Sequence, residues 1–234
     1  MSRVDRASAP GPAALRRSSG ARVSMLQAIR SAGSRTVPHP GPHPAPSLDA
    51  SWATFAGVLA GVGGEPCGPV TRAELSAAAL GWARDRAAGG RIVAEPSAAV
   101  LLEAAADVEI ADASAAPTSF ADVAVAIVRG ELGVAECGAV AVLGRDAPQR
   151  ALLFLAERVL LLLPAIRLVA DLHRAFSALP ADALAHHHLT WISGPSKTAD
   201  IEQTLVFGAH GPRALAVLGF SEDDDPAASR DADR

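Results

Sequence analysis

The chain has 234 residues and a mass of 23.8 kDa, and half of its residues are apolar, which provides for one substantial hydrophobic core and excludes a wholly disordered protein. The longest apolar run, Val159 to Ile166, is far shorter than the roughly 20 residues that span a bilayer, so we expect no membrane partner. Two cysteines cannot build a disulfide framework, and they cannot supply the four thiolates that usually hold an iron–sulfur cluster.

The net charge of −4 is unevenly distributed along the chain. Residues 1–35 hold seven Arg and one Asp, and residues 221–234 hold six acids and two Arg. We therefore expect a disordered basic leader and Pro-rich linker over 1–48, a folded domain over 49–220 and an acidic disordered tail over 221–234. Met25 opens a predicted short helix and is an alternative start to Met1. The middle has no basic patch that would bind nucleic acid, and without an apolar N-terminal segment we expect a cytoplasmic location.

Two helices open the predicted domain. Asp49 or Ser51 caps a helix whose apolar residues fall at helical spacing and which ends at Gly61-Val-Gly-Gly. This glycine cluster follows a helix instead of a strand, so it is not a dinucleotide-binding fingerprint. Thr71 and Glu74 form a predicted capping box for a second helix over 71–88.

Short apolar segments then alternate with helical patterns. The helical patterns cover 97–105, 165–179 and 199–207. The predicted strands are Arg91–Ala94, Val108–Ile110, Val123–Val128, Ala139–Leu143, Val159–Leu163, His188–Ile192 and Leu215–Leu218. This alternation predicts an α/β domain with a mostly parallel sheet covered on both faces.

The most informative local segment runs from His188 to Gln203. A strand leads into Ser193-Gly-Pro-Ser, Lys197 is the only lysine in the chain, and Thr198 is a predicted N-cap with Asp200 and Glu202 in the first helical turn. Such a strand–turn–helix unit places backbone N–H groups and a cation beyond the carboxyl end of a strand, where α/β proteins bind ligands. The segment is not a P-loop, because Ser196 stands where glycine is needed.

Residues Ile192 to Leu215 (ISGPSKTADIEQTLVFGAHGPRAL) resemble the C-terminal signature of the lactate utilization protein C family, which carries the LUD domain. Val62-Gly-Gly-Glu, Val134-Ala-Glu-Cys-Gly and the apolar run over 152–164 also resemble family segments, so the resemblance covers about residues 50–220. Cys137 stands where the family commonly has Thr, which puts in doubt any role that needs a hydroxyl there.

The resemblance implies a Rossmann-like three-layer sandwich of the NagB/RpiA/CoA-transferase type. It also implies a part in the oxidation of L-lactate to pyruvate, together with partner proteins that carry iron–sulfur clusters. No cofactor is then expected in this chain itself.

Candidate site residues follow from what lactate oxidation requires, namely a cation or N–H cluster for the carboxylate and a base for the hydroxyl proton. His210 and Glu136 are the candidate catalytic residues. The candidate anion-binding residues are Ser193, Gly194, Ser196, Lys197, Thr198 and Arg213. No metal site is expected, because the adjacent residues His186 to His188 in an extended segment point in opposite directions.

Two other functions stay open. The chain is either a stand-alone acyl-CoA transferase or sugar-phosphate isomerase-like enzyme that uses Glu136, or a non-catalytic module that binds lactate or organises its partners. Each candidate residue also has a plain structural interpretation: His210 as a loop histidine bonded to backbone, Arg213 as a solvated surface residue, and Cys67 and Cys137 as buried small residues.

Overall fold

The computed structural model describes residues 12–33, 38, 48–102, 105–179, 188–198 and 206–221. The chain divides into two units, Met1–Pro44 and Ala45–Arg234. In the first unit, helix α1 (Pro12–Ser31) includes the short helix predicted after Met25, and its side chains from residue 20 onward are exposed. The boundaries expected for the leader, domain and tail stay a prediction.

The second unit alternates strands and helices. Its helices are α2 (Trp52–Gly61), α3 (Arg72–Ala87), α4 (Pro96–Ala99), α5 (Ala147–Leu155) and α6 (Leu172–Ala178), with 3-10 turns at Pro117–Phe120 and Ala165–Arg167. Its strands are β1 (Glu65–Val70), β2 (Arg91–Ala94), β3 (Val108–Ile110), β4 (Val123–Arg129), β5 (Leu132–Val134), β6 (Ala139–Gly144), β7 (Arg158–Pro164), β8 (Leu168–Val169), β9 (His188–Ile192), β10 (Lys197–Thr198), β11 (Val206–Phe207) and β12 (Ala214–Phe220).

Among the described residues, six strands form a parallel central sheet in the order β1-β12-β7-β4-β2-β3. Helices α3 and α4 cover one face, where they pack on residues such as Ile127 and Leu162. Helices α2 and α5 cover the other face, against residues such as Val128 and Leu161. The predicted Rossmann-like three-layer α/β architecture is therefore confirmed.

A second, separate sheet, in the order β8-β5-β6-β9, packs against the core between the central sheet and α2. Val140 and Val142 of β6 belong to the same apolar cluster as Phe55 and Leu59 of α2. Residues on the opposite face of this sheet, including Leu132 and Ala141, pack on α6. One face of the second sheet is thus covered by the main core, and the other face is covered by the short helix α6.

Side-chain caps fix where the helices begin. The Ser51 side chain accepts from the N–H of Thr54 at the start of α2, which selects Ser51 from the two predicted caps. The predicted capping box of α3 is confirmed, because Thr71 and Glu74 bond reciprocally. These bonds to Thr71 lower the pKa of the Glu74 carboxyl.

Three predicted helices differ from the structure. In the described part of the pattern over 97–105, the helix is limited to the four-residue α4. The pattern over 165–179 is interrupted by β8, which pairs with Gly133 and Val134, and α6 begins only after the cap Asp171. The helix predicted over 199–207 is wrong at its end, because Val206 and Phe207 pair with Thr198 and Lys197 in an antiparallel ladder. Residues 199–205 lie outside the described part of the chain.

Five strands were not predicted, namely β1, β5, β8, β10 and β11. The segment that forms β1, Glu-Pro-Cys-Gly-Pro-Val, has the composition of a turn, yet it pairs with β12 at the edge of the sheet, where proline is tolerated. The three-residue β5 follows Gly130 and Glu131, and it is buried at every position.

Candidate functional site

A groove of about 590 Å³ at the amino ends of the central strands brings two of the predicted site residues together. His210 and Arg213 line it from the loop that precedes β12. Its other walls come from the residues before β4 and from the end of α5, including the exposed side chains of Phe154 and Leu155. The groove therefore combines an apolar wall with an imidazole and a guanidinium.

Glu157 anchors the groove loop. Its carbonyl accepts from the Arg213 N–H at 2.8 Å, and its carboxylate lies 4.0 Å from Arg213 Nη1 and 3.0 Å from Arg158 Nη1. The Arg213 side chain is still 68% exposed. Because Glu157 is shared with Arg158 and is distant from Arg213, the guanidinium of Arg213 keeps donors free for a ligand.

The turn over 193–198 packs against the groove loop. The Ser196 N–H donates to the Pro212 carbonyl at 2.9 Å, and the Gly208 N–H donates to the Ser196 carbonyl at 2.9 Å. Gly208 has φ +76, and a Cβ there would overlap the Arg213 side chain. These contacts, with the β10–β11 ladder, hold the turn over 193–198 against the loop that carries Arg213.

The same turn is fastened to the end of α2. Lys197 Nζ donates to the Val62 carbonyl, which is a favourable contact for a cation at a helix C-terminus. A Cβ at Gly194, which has φ +73, would lie 2.6 Å from the Val62 carbonyl oxygen. Ser193 Oγ donates to the Cys137 carbonyl at 2.6 Å. Lys197 therefore has a structural partner, although its side chain is exposed and an ammonium has three donors.

The position of the turn differs from the expected one. Strand β9 does lead into Ser193, but it belongs to the second sheet and not to the parallel sheet. The chain then reaches the amino edge of the central sheet at Arg213, instead of the carboxyl edge. Thr198 lies in β10 and is partly buried, and the predicted first-turn acids Asp200 and Glu202 lie outside the described residues.

Glu136 lies in the turn between β5 and β6. Its side chain is exposed, and Oε2 accepts from the Leu172 N–H at 3.3 Å, at the start of α6. Within the described residues, no hydrogen bond or ion pair joins Glu136 to Lys197, His210 or Arg213. Its catalytic role stays a prediction.

Neither cysteine has the environment of a reactive thiol. Burial, with a smaller contribution from Glu65, raises the pKa of the Cys67 thiol to about 11. Burial also raises the pKa of the Cys137 thiol. Both cysteines are free, and in the part of the chain that the structure describes no three His, Cys, Asp or Glu side chains are grouped to hold a metal ion. His186 and His187 lie outside that part.

None of the described helices is long and apolar enough to cross a membrane.

A buried polar network that the sequence patterns did not predict lies at the carboxyl edge of β2. Glu95 is 2% exposed and caps α4, where its carboxylate accepts from the N–H groups of Ser97 and Ala98, the Ser97 hydroxyl and Gln149 Nε2. Gln149 Oε1 accepts in turn from the Arg145 N–H at 2.6 Å. The signal in the sequence was the Glu-Pro pair directly after a predicted strand, since proline favours the first helical position.

The parallel sheet, its two helical layers and the attached antiparallel sheet define a Rossmann-like α/β domain with a ligand-sized groove at one edge of the sheet. The LUD domain family matches residues 98–218, which is more than half of the chain, and the chain belongs to this family. The predicted resemblance is thus confirmed.

Curated relatives match over shorter segments. Lactate utilization protein C of Geobacillus kaustophilus is 31% identical over 98 residues, which cover 40% of this chain and 41% of that protein. Lactate utilization protein C of Deinococcus radiodurans is 34% identical over 73 residues, which cover 31% of this chain and 34% of that protein. The chain therefore spans about two fifths or less of the length of these relatives.

A crystal structure of a DUF162 family protein from Deinococcus radiodurans has the same fold. It is 19% identical in sequence and superimposes with a TM-score of 0.56, covering 72% of this chain and 95% of that one. At this identity the likeness concerns the fold alone.

Proposed function

We propose that this protein is the cluster-free subunit of a multi-protein system that oxidises L-lactate to pyruvate, and that it binds the small carboxylate substrate in the groove at His210 and Arg213. Membership in the LUD domain family and the relatives named lactate utilization protein C support the role in lactate utilization. The observation that carries the substrate site is the presence of an imidazole and a guanidinium on the same groove.

The two side chains have different roles in binding and oxidising a 2-hydroxy acid. Arg213 offers a planar guanidinium that pairs with the carboxylate. His210 is exposed on the same loop and accepts the hydroxyl proton as the C2 carbon is oxidised. The apolar wall of Phe154 and Leu155 faces the C3 methyl group and limits water.

Oxidation of lactate also breaks the C2–H bond, which releases a second proton to solvent and two electrons, and the electrons need an acceptor. Iron–sulfur clusters are usually held by cysteine thiolates, and this chain has two cysteines, both with a raised thiol pKa. The cysteines present do not fit a cluster. We therefore assign the clusters to partner proteins, which take the electrons from the substrate, and expect no cofactor in this chain.

The turn over 193–198 supports the groove in this proposal. Ser196 bonds the groove loop on both sides of His210, and Lys197, Gly194 and Ser193 fasten the turn to α2 and to the 136–138 turn. Lys197 has donors to spare, so it adds positive charge beside the site, while Arg213 supplies the direct contact with the carboxylate.

Calorimetric titration of L-lactate tests the site with the full-length protein and its co-purified partners. We expect Arg213→Gln and His210→Gln to weaken binding at least tenfold. Arg158→Gln is the matched control, because Arg158 contacts the same Glu157 carboxylate but does not line the groove, and it should change binding less than twofold. Equal affinity of Arg213→Gln and the wild type would overturn the substrate site.

A pull-down with the tagged protein tests the assembly. Co-purification of cysteine-rich iron–sulfur proteins, together with lactate-dependent dye reduction only in their presence, is the expected result. Lactate oxidation by the purified chain alone would overturn the assignment as a subunit.

A further inference from the structure

The connections of the central sheet reverse direction between β2 and β4. After β2 the chain passes through α4 to β3 on one side, and after β4 it passes to β7 on the other side. Such a reversal opens a crevice outside the carboxyl ends of the two strands, which is where open α/β sheets bind ligands. The crevice lies at the opposite edge of the sheet from the groove of His210.

Arg129 is the last residue of β4 and lies at this crevice. It is partly buried, and its Nε is buried without a hydrogen-bond partner. No ion pair or side-chain hydrogen bond joins Arg129 to any of the described residues. An unpaired buried donor on a charged group is costly and is rare in folded proteins, so it calls for a partner that the described residues do not supply.

The nearby carboxylates are already engaged. Alternation along the strands places Arg129 on the face of Ile127 and Ala94, and Glu95 on the opposite face with Val93. Glu95 accepts from donors on Ser97, Ala98 and Gln149.

Glu131, two residues further along, is surrounded by other arginines. Its carboxylate lies 3.8 Å from Arg145 Nη2, and its carbonyl accepts from Arg167 Nε at 3.1 Å. Two further arginines, Arg145 and Arg167, therefore contact Glu131, which follows Arg129 by two residues in the chain.

We propose that the crevice between the carboxyl ends of β2 and β4 is a binding site for a small oxyanion, in which Arg129 pairs with the carboxylate or phosphate group of the ligand. The guanidinium fork matches both groups, and Arg145 and Arg167 add positive charge at the mouth. The site is independent of the groove at His210 and Arg213.

Titration of the full-length protein with inorganic phosphate, citrate and L-lactate tests the site. We expect phosphate or citrate to bind the wild type, and Arg129→Met to weaken that binding at least tenfold. Arg145→Met is the matched control at the same edge, with a side chain that is 54% exposed, and it should weaken binding less than threefold. Arg213→Gln should leave it unchanged. Absence of phosphate and citrate binding in the wild type, or equal binding by Arg129→Met, would overturn the proposal.

The melting temperature without ligand separates a binding residue from a structural one. A ligand-directed Arg129 has no partner to lose, so Arg129→Met should melt at or above the wild-type temperature. A decrease of more than about 4 °C would show that Arg129 stabilises the fold and would overturn the proposal. If L-lactate binding depends on Arg129 and not on Arg213, the groove assignment fails while this site stands.

Discussion

Replacing Glu95 with alanine should destabilise the domain strongly, because its carboxylate is the acceptor for a buried donor set. The substitution leaves the Ala98 N–H and Gln149 Nε2 without an acceptor in the protein, whereas the half-buried Ser97 can reach water. Each buried unsatisfied donor costs about 1–3 kcal/mol, so the two donors together account for about 2–6 kcal/mol, which includes the loss of the helix cap at Ala98. We therefore expect Glu95→Ala to lower the free energy of unfolding by about 3–5 kcal/mol, the range for removing one partner from a buried charged network.

Urea denaturation and thermal melting measure this effect. For a domain of this size about 3–5 kcal/mol corresponds to a decrease in melting temperature of roughly 6–20 °C. Glu136→Ala is the matched control, since its exposed carboxylate accepts one bond at 3.3 Å, and it should cost less than about 1 kcal/mol. In a double-mutant cycle with Gln149→Leu, we expect a coupling energy of at least about 1 kcal/mol. A cost for Glu95→Ala no larger than that for Glu136→Ala would refute the reasoning.

Three further predictions concern other parts of the fold. Thr71→Ala should lower the free energy of unfolding by about 1 kcal/mol in a urea titration, because α3 loses its N-cap, and no measurable change would contradict this. Gly138→Ala should destabilise the fold by more than about 1 kcal/mol, because Gly138 has φ +61 and a Cβ there would lie 2.8 Å from the backbone of α2. Gly57→Ala, at a position in α2 with open space around it, should stabilise the fold by about 0.5–1 kcal/mol. A change of the same sign for both variants in thermal melts would contradict this prediction. Cys67 should react slowly with iodoacetamide at pH 8 and faster as the pH approaches its pKa of about 11, so a rate that is already maximal at pH 8 would show that the thiol is not shielded by burial.

The sequence was most informative where local chemistry decides the structure. The capping box of Thr71 and Glu74 was predicted from the two residues and their spacing, and the structure shows both bonds. Strands β2, β3 and β9 were predicted with their observed bounds, because short segments rich in β-branched, aromatic and other apolar residues favour strands.

The sequence failed where distant residues decide the structure. Nothing within Glu65–Val70 indicates a strand, since its partner β12 is remote in the chain and only the edge position of β1 lets it keep two prolines. The helical pattern over 165–179 gives way to β8 because Leu168 and Val169 complete the second sheet beside β5.

The roles of the candidate site residues stay predictions. His210 and Arg213 line one groove, which lies at the amino edge of the sheet and not at the expected carboxyl edge. The helix predicted after Thr198 relied on the capping chemistry alone, and the ladder with Val206 overrides it at its end. Arg129 carried no local signal, because its missing partner is a property of the folded surroundings.

The position of β12 governs the order in which the central sheet is completed during synthesis. Among the described strands, β1 pairs with β12 alone, about 150 residues further along the chain, and β12 also covers the apolar edge of β7. Closing such a long loop delays folding, so a nascent chain holds β1 without a sheet partner until residue 220 has left the ribosome. A product that stops before Ala214 would expose the unpaired edge of β7, whose leucines offer a template for association between chains.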